Sequence, residues 1–255
     1  MGELIPHRKH FVLVHGSCHG AWCWYKLKPL LESSGHHVTA LDMAASGIDM
    51  KEIKEINTLR EYTEPLLKFL ESLDNDEKVI LVGHSFGGFN LALAMEYYPN
   101  KISVAVYLTA FMPDITHSPS FVFDKLFESK PSEAWLDTEF APFLLFGPKF
   151  ISSKLYQLTP TEDLELAKSL ARPGYFFLSE LSASKNFSRE GYGSVKRIFI
   201  VCSEDQGIPK EFQLWMIENY PVEQVFEIKD SDHMPMLCKP KELRDCLSEI
   251  ADNYA

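Results

Sequence analysis

The chain is poor in the features that would commit it to several large classes of protein. Its 255 residues hold five cysteines, Cys18, Cys23, Cys202, Cys238 and Cys246, which are odd in number, scattered, and never in a C-x-x-C arrangement. That argues against a disulfide framework and a zinc site, so reduced thiols and no metal are expected. Basic residues are outnumbered, 25 Lys and Arg against 36 Asp and Glu, for a net charge of −11, and no basic run offsets the excess. Nucleic acid, a polyanion, would be repelled and is not expected as a partner. No apolar stretch approaches the roughly 20 residues of a membrane span, and Met1 to His10 carries no apolar signal region. The expectation is a cytoplasmic protein that does not engage a membrane. Internal repeats and low-complexity tracts are missing too, and the sequon Asn186-Phe187-Ser188 reads as accidental without a secretory signal.

What is present is 45% hydrophobic and 24% charged, enough for one large core or a core with an accessory unit. Apolar, β-branched runs recur at His10 to His15, Val38 to Asp42, Val79 to Val82, Ile102 to Thr109, Arg197 to Cys202 and Val225 to Ile228. Helical spacing of apolar residues lies between them, over Ala21 to Ser34, Asn57 to Leu73, the stretch after Ser85 to about Tyr98, Lys210 to Glu218 and Lys239 to Ile250. Strands without polar alternation, alternating with helices, predict an α/β fold with a mostly parallel sheet covered on both faces. The rhythm breaks across 112–190, where one clear helix, Thr161 to Ala171, sits among aromatic, proline and serine residues. That segment holds too many apolar side chains, Phe123, Leu126, Trp135, Phe140 and Phe146 among them, to be a disordered linker. It reads as an inserted lid (cap) domain, with 1–111 and 191–255 forming the core.

Gly83-His84-Ser85-Phe86-Gly87 lies between a predicted strand and a predicted helix. Glycines two residues either side of a serine make room for a sharp strand-to-helix turn that holds the hydroxyl up as a nucleophile. A serine hydroxyl needs a general base, and the base needs a carboxylate to orient it. In this fold type these follow in the order Ser, acid, His on loops after later strands, which selects Asp205 and His233. Glu204 is the nearest competitor for the acid, with Asp230 and Asp232 less favoured because they share a loop with the histidine. The backbone N–H groups of Phe86 and of Ser17, in the loop after the first strand, are candidates for an oxyanion hole. His19 reads as a structural hydrogen-bonding residue, His84 as pointing away from Ser85, and Cys18 and Cys23 as buried apolar fillers. Trp22, Trp24 and Trp215 are expected to pack in the core, whereas Phe111 and Trp135 are candidates for the wall of a substrate pocket.

Several stretches carry a resemblance: His10 to Gly20, Tyr25 to Glu32, Val38 to Asp42, Glu77 to Gly88, Tyr192 to Arg197 and Asp232 to Met234. Together they resemble the plant methylesterase and hydroxynitrile lyase group of α/β hydrolases, over nearly the whole chain. The resemblance implies an α/β-hydrolase fold with Ser85, Asp205 and His233 as triad, Ser17 and Phe86 amides as oxyanion hole, and Phe111 and Trp135 in the pocket. It also implies a serine carboxylesterase acting on the methyl ester of a small apolar acid, in the manner of methyl salicylate, methyl jasmonate, methyl indole-acetate or an alkaloid methyl ester. No cofactor is implied; the partner is the small-molecule ester or free acid, and a homodimer is left open. The alternatives are a hydroxynitrile lyase and a small-acid binding protein on the same scaffold. The lyases of the group typically carry threonine where this chain has Gly16, and lysine where it has Met234, and both departures favour the esterase. Segment 140–146 is shorter than the group's usual lid segment, from which a wider entrance is expected.

Overall fold

The structure, a computed structural model, describes residues 8–255; residues 1–7, part of the N-terminal segment inspected for a signal region, lie outside it. Six strands form one sheet in the order β2-β1-β3-β4-β5-β6. They are β1 (His10–Val14), β2 (His37–Leu41), β3 (Val79–His84), β4 (Ile102–Leu108), β5 (Arg197–Cys202) and β6 (Gln224–Ile228). Every pairing is parallel. Because successive side chains point to opposite faces, each strand feeds two cores. Val12, Val14 and Leu81 pack on one face, and Phe11, Leu13, Ile80 and Val82 on the other. Burial on both sides is why these strands read as unbroken apolar runs.

Helices α1 (Leu27–Ser33), α2 (Leu59–Ser72) and α3 (Gly87–Tyr97) fill the connections between the first four strands. The single helix expected over Ala21 to Ser34 is instead a 3-10 turn, Ala21–Trp24, followed by α1. Pro29 favours the break, since it has no N–H to donate four residues back and sits best in a first helical turn, although α2 does carry Pro65 in its interior. Starting α1 at Leu27 puts Pro29 in that turn. α2 begins as expected, with the Thr58 side chain accepting from the Glu61 N–H at 3.1 Å.

After β4 the chain leaves the sheet and does not rejoin it until Arg197. The intervening stretch holds three longer helices, α4 (Phe121–Ser129), Thr161–Leu170 and Leu178–Ala183. Only the second was visible as a helix in the sequence. α4 buries Val122, Phe123 and Leu126, and its apolar stripe was hidden inside a generally aromatic segment.

The strand order reverses between β1 and β3, since the chain builds outward to β2 in one direction and to β6 in the other. A crevice at the carboxyl ends of the strands opens at such a point. Val14 is paired with Gly83, and Leu108 with His84. The loops after β1, β3 and β4 therefore emerge side by side.

Candidate active site

Ser85 stands at the end of β3 with φ +55°. That left-handed conformation is uncommon for any side chain but glycine, and here it turns the chain from strand to helix within one residue. The turn needs bare neighbours. A Cβ on Gly87 would lie 2.8 Å from the Val14 carbonyl oxygen, and one on Gly16 would lie 2.8 Å from Ser85 Cβ. Glycine at these positions lets the loop after β1 close onto Ser85.

Cys202 and Ile228 are paired at the ends of β5 and β6, so the loops that follow them meet. His233 Nδ1–H donates to Asp205 Oδ2 at 2.7 Å, and both residues are buried. The other carboxylate oxygen accepts the N–H groups of Gly207 (2.7 Å) and Ile208 (2.8 Å). The competing carboxylates are engaged elsewhere. Asp232 accepts from the Leu158 N–H and Thr159 hydroxyl with Oδ2 and from the Met234 N–H with Oδ1. Glu204 is exposed.

His84 does turn away from Ser85: its Nε2–H donates to the His233 carbonyl at 2.7 Å. Burial, followed by the nearby His233, drives its pKa well below the ordinary value, so the ring is a neutral strut beneath the His233 loop.

Two further histidines set the loop after β1. His15 Nδ1–H donates to the Gly16 carbonyl at 2.8 Å, and its Nε2 accepts the Met43 N–H at 3.0 Å. Because a trans peptide is planar, holding the Gly16 carbonyl on one side fixes the Ser17 N–H on the other. His19 Nδ1–H donates to the Ser17 carbonyl at 2.8 Å while Nε2 accepts the Tyr156 hydroxyl at 2.7 Å. Burial lowers the pKa of His15, and that of His19 to about 4, so both keep the neutral tautomers these bonds require. Phe86 immediately precedes α3, among the helix-start N–H groups that have no acceptor within the helix. Cys18 is buried, and burial pushes its thiol up to about 12, far from a reactive thiolate.

Ser85 and His233 line one cavity with Phe111 and Trp135. Leu126, Phe150 and Phe176 complete much of its apolar wall. In the sequence Leu126 and Phe150 read only as apolar lid residues and Phe176 carries no mark, because contact with a pocket leaves no local sequence signal. The free volume is about 20 Å³, room for about one water molecule. Trp135 stacks on Phe150 at 5.6 Å within the cavity wall, and Phe140, itself exposed, lies edge-on to Trp135 at 5.4 Å. Larger clefts of about 520 and 400 Å³ lie elsewhere and contain neither Ser85 nor His233. Phe111 serves both roles open to it, packing on Phe123 at 4.5 Å while facing the cavity. Of the tryptophans expected in the core, Trp24 is fully buried, whereas Trp22 stacks on His19 and Trp215 on Phe212, each partly exposed.

Segment 112–190 holds the loops after β5 and β6 that carry Asp205 and His233. Lys130 Nζ donates to the carbonyls of Gln206 (2.9 Å) and Gly207 (2.6 Å), next to Asp205, and burial lowers its pKa to about 8. Thr159 and Leu158 hold Asp232 beside His233.

A parallel sheet that presents a strained serine at its switch point is the architecture of the α/β hydrolases. Residues 11–245 match the alpha/beta hydrolase family, and the chain belongs to it. It is 61% identical to Methylesterase 1 of Arabidopsis thaliana, with 97% of each chain covered, and 58% identical to Salicylic acid-binding protein 2 of Nicotiana tabacum, over 96% of this chain and 98% of that one. The crystal structure of polyneuridine aldehyde esterase superposes with a TM-score of 0.95 at 51% identity, covering 96% of this chain and all of that one. Among the described residues no helix is long and apolar enough to cross a membrane.

Proposed function

We propose that this chain is a serine carboxylesterase that hydrolyses the methyl ester of a small, mostly apolar acid through an acyl-enzyme, with Ser85, His233 and Asp205 as its triad. The observation that carries the reading is the bonded pair His233–Asp205 sharing a cavity with the strained Ser85. In this scheme Ser85 Oγ attacks the ester carbonyl as His233 Nε2 takes its proton. The Asp205 carboxylate fixes the Nδ1–H tautomer and stabilises the imidazolium. The Ser17 and Phe86 amides receive the developing oxyanion, the first aimed by His15, the second reinforced by the dipole of α3. His233 then protonates departing methanol, and water attacks the acyl-enzyme by the same route in reverse.

The similarity to Methylesterase 1 and to polyneuridine aldehyde esterase supports ester chemistry. The apolar wall, from Phe111, Leu126, Trp135, Phe150 and Phe176, supports an apolar acyl group. Residue 234 is methionine, a neutral thioether that offers no ammonium to a leaving cyanide, which weighs against cyanohydrin cleavage. The test is hydrolysis of a panel of methyl esters, including methyl salicylate, methyl jasmonate and methyl indole-acetate, by wild type and Ser85→Ala. Loss of at least about 10⁴-fold in kcat on the best ester is expected for the variant; equal rates overturn the proposal.

A further inference from the structure

Thr109 is the first residue past β4, fully buried, with φ +38°. A β-branched residue with positive φ is a genuine backbone outlier, and such outliers persist where surrounding contacts over-determine them. Three contacts do so here. The Thr109 N–H donates to the Ile200 carbonyl of β5 at 2.9 Å, its Oγ1–H donates to Asp205 Oδ2 at 2.5 Å, and two residues on the Phe111 N–H donates to the Ser85 carbonyl at 3.0 Å. The span Thr109 to Phe111 thus touches the acid with one end and the nucleophile's own backbone with the other. Asp205 Oδ2 is also the oxygen that accepts from His233.

We propose that Thr109 is a positioning residue for the hydrolysis, its hydroxyl holding the Asp205 carboxylate in the plane of the His233 ring and moderating the charge that carboxylate presents to it. The inference rests on the triad reading above. With Oδ1 held by two backbone amides, Oδ2 has room for two donors, and Thr109 supplies the one whose charge does not change as His233 gains and loses a proton at Nε2. Removing it leaves His233 alone on that oxygen, facing a more basic carboxylate that favours the imidazolium.

The other ionisable groups around the pair are His84 from the elbow, His19 from the loop after β1, Cys202 at the end of β5, Asp232 beside His233 and Lys130 from 112–190. The two histidines are held neutral and Lys130 titrates near 8, so an effect on the acid limb of the rate profile isolates the Thr109–Asp205–His233 unit.

The experiment is the pH dependence of kcat/KM on the best methyl ester for wild type, Thr109→Val, Thr109→Ser and Ser85→Ala, with melting temperatures recorded. Thr109→Val keeps the shape and removes the donor. It is expected to lose about tenfold in kcat and to move the acid limb upward by several tenths of a pH unit. Thr109→Ser, which keeps the donor, is expected to restore both. Thr109→Ala carries the same comparison if the valine variant does not fold. A folded valine or alanine variant with wild-type kcat and an unmoved limb overturns the proposal, as does a serine variant as impaired as valine. Activity surviving in Ser85→Ala would instead overturn the triad reading itself.

Discussion

Asp205→Asn replaces one oxygen of a carboxylate that accepts four hydrogen bonds: His233 Nδ1–H, the Thr109 hydroxyl, and the Gly207 and Ile208 amides. Oδ1 faces two fixed backbone donors, so the new amide must keep its carbonyl there and turn its NH2 toward His233. Thr109 can rotate its hydroxyl to accept. His233 Nδ1–H cannot, and two donors then face each other. The ring relieves this by moving its proton to Nε2, which leaves no lone pair there to accept from Ser85. A wrong-tautomer defect of this kind costs about 10⁴ in kcat, or about 5.4 kcal/mol of barrier. Folding changes less, because both backbone amides keep an acceptor; a loss of about 1–3 kcal/mol is expected. The assay is steady-state methyl ester hydrolysis beside a denaturant melt, with Glu204→Gln as control. Glu204 is exposed, so its variant should keep wild-type rates. Asp205→Asn within tenfold of wild type, or Glu204→Gln equally impaired, refutes the assignment of the acid.

Two further outcomes follow from the same geometry. His15, His19 and His84 are buried and neutral, with pKa values lowered chiefly by desolvation, that of His19 to about 4. The unfolded chain, whose histidines titrate near 6.5, takes up protons that the folded one refuses; stability is therefore full above about pH 6.5 and is lost as pH falls toward 4. Each histidine contributes about 1.4 kcal/mol per pH unit in that window. Urea melts between pH 7 and 4.5 measure the slope, which His19→Gln should reduce by about one proton; a pH-independent midpoint contradicts the neutral tautomers. Trp135→Ala opens the tight cavity by removing the ring stacked on Phe150. The ratio of kcat/KM for a bulky aromatic methyl ester to that for methyl acetate should change by about tenfold or more. An unchanged ratio removes Trp135 from the pocket.

Local chemistry was legible in the residues alone. The elbow at Ser85 announces itself because glycines must flank a turn that tight, and the unbroken apolar strands announce a doubly covered parallel sheet. Asp205 and His233 could be named as candidates because an acid and a base of this kind attach to the ends of successive strands, a rule of topology that survives errors of a few residues in element bounds. The break ahead of α1 was also hinted at in the chain by Pro29, though the helical spacing around it hid the signal. Contacts distant in sequence were not legible. Thr109 lies 96 residues from the carboxylate it bonds, and Tyr156 lies 137 from His19. Nothing in a neighbouring residue records such a partner. The same holds for the cavity, whose size depends on how wall residues such as Trp135 and Phe150 stack on one another. Sequence by itself determined that a serine is held at a sheet's switch point with an acid and a base to follow. Which carboxylate is left free to meet His233, what orients it and how little room lies above Ser85 were decided only in the folded chain, where hydrogen bonds and ring packing depend on distance in space.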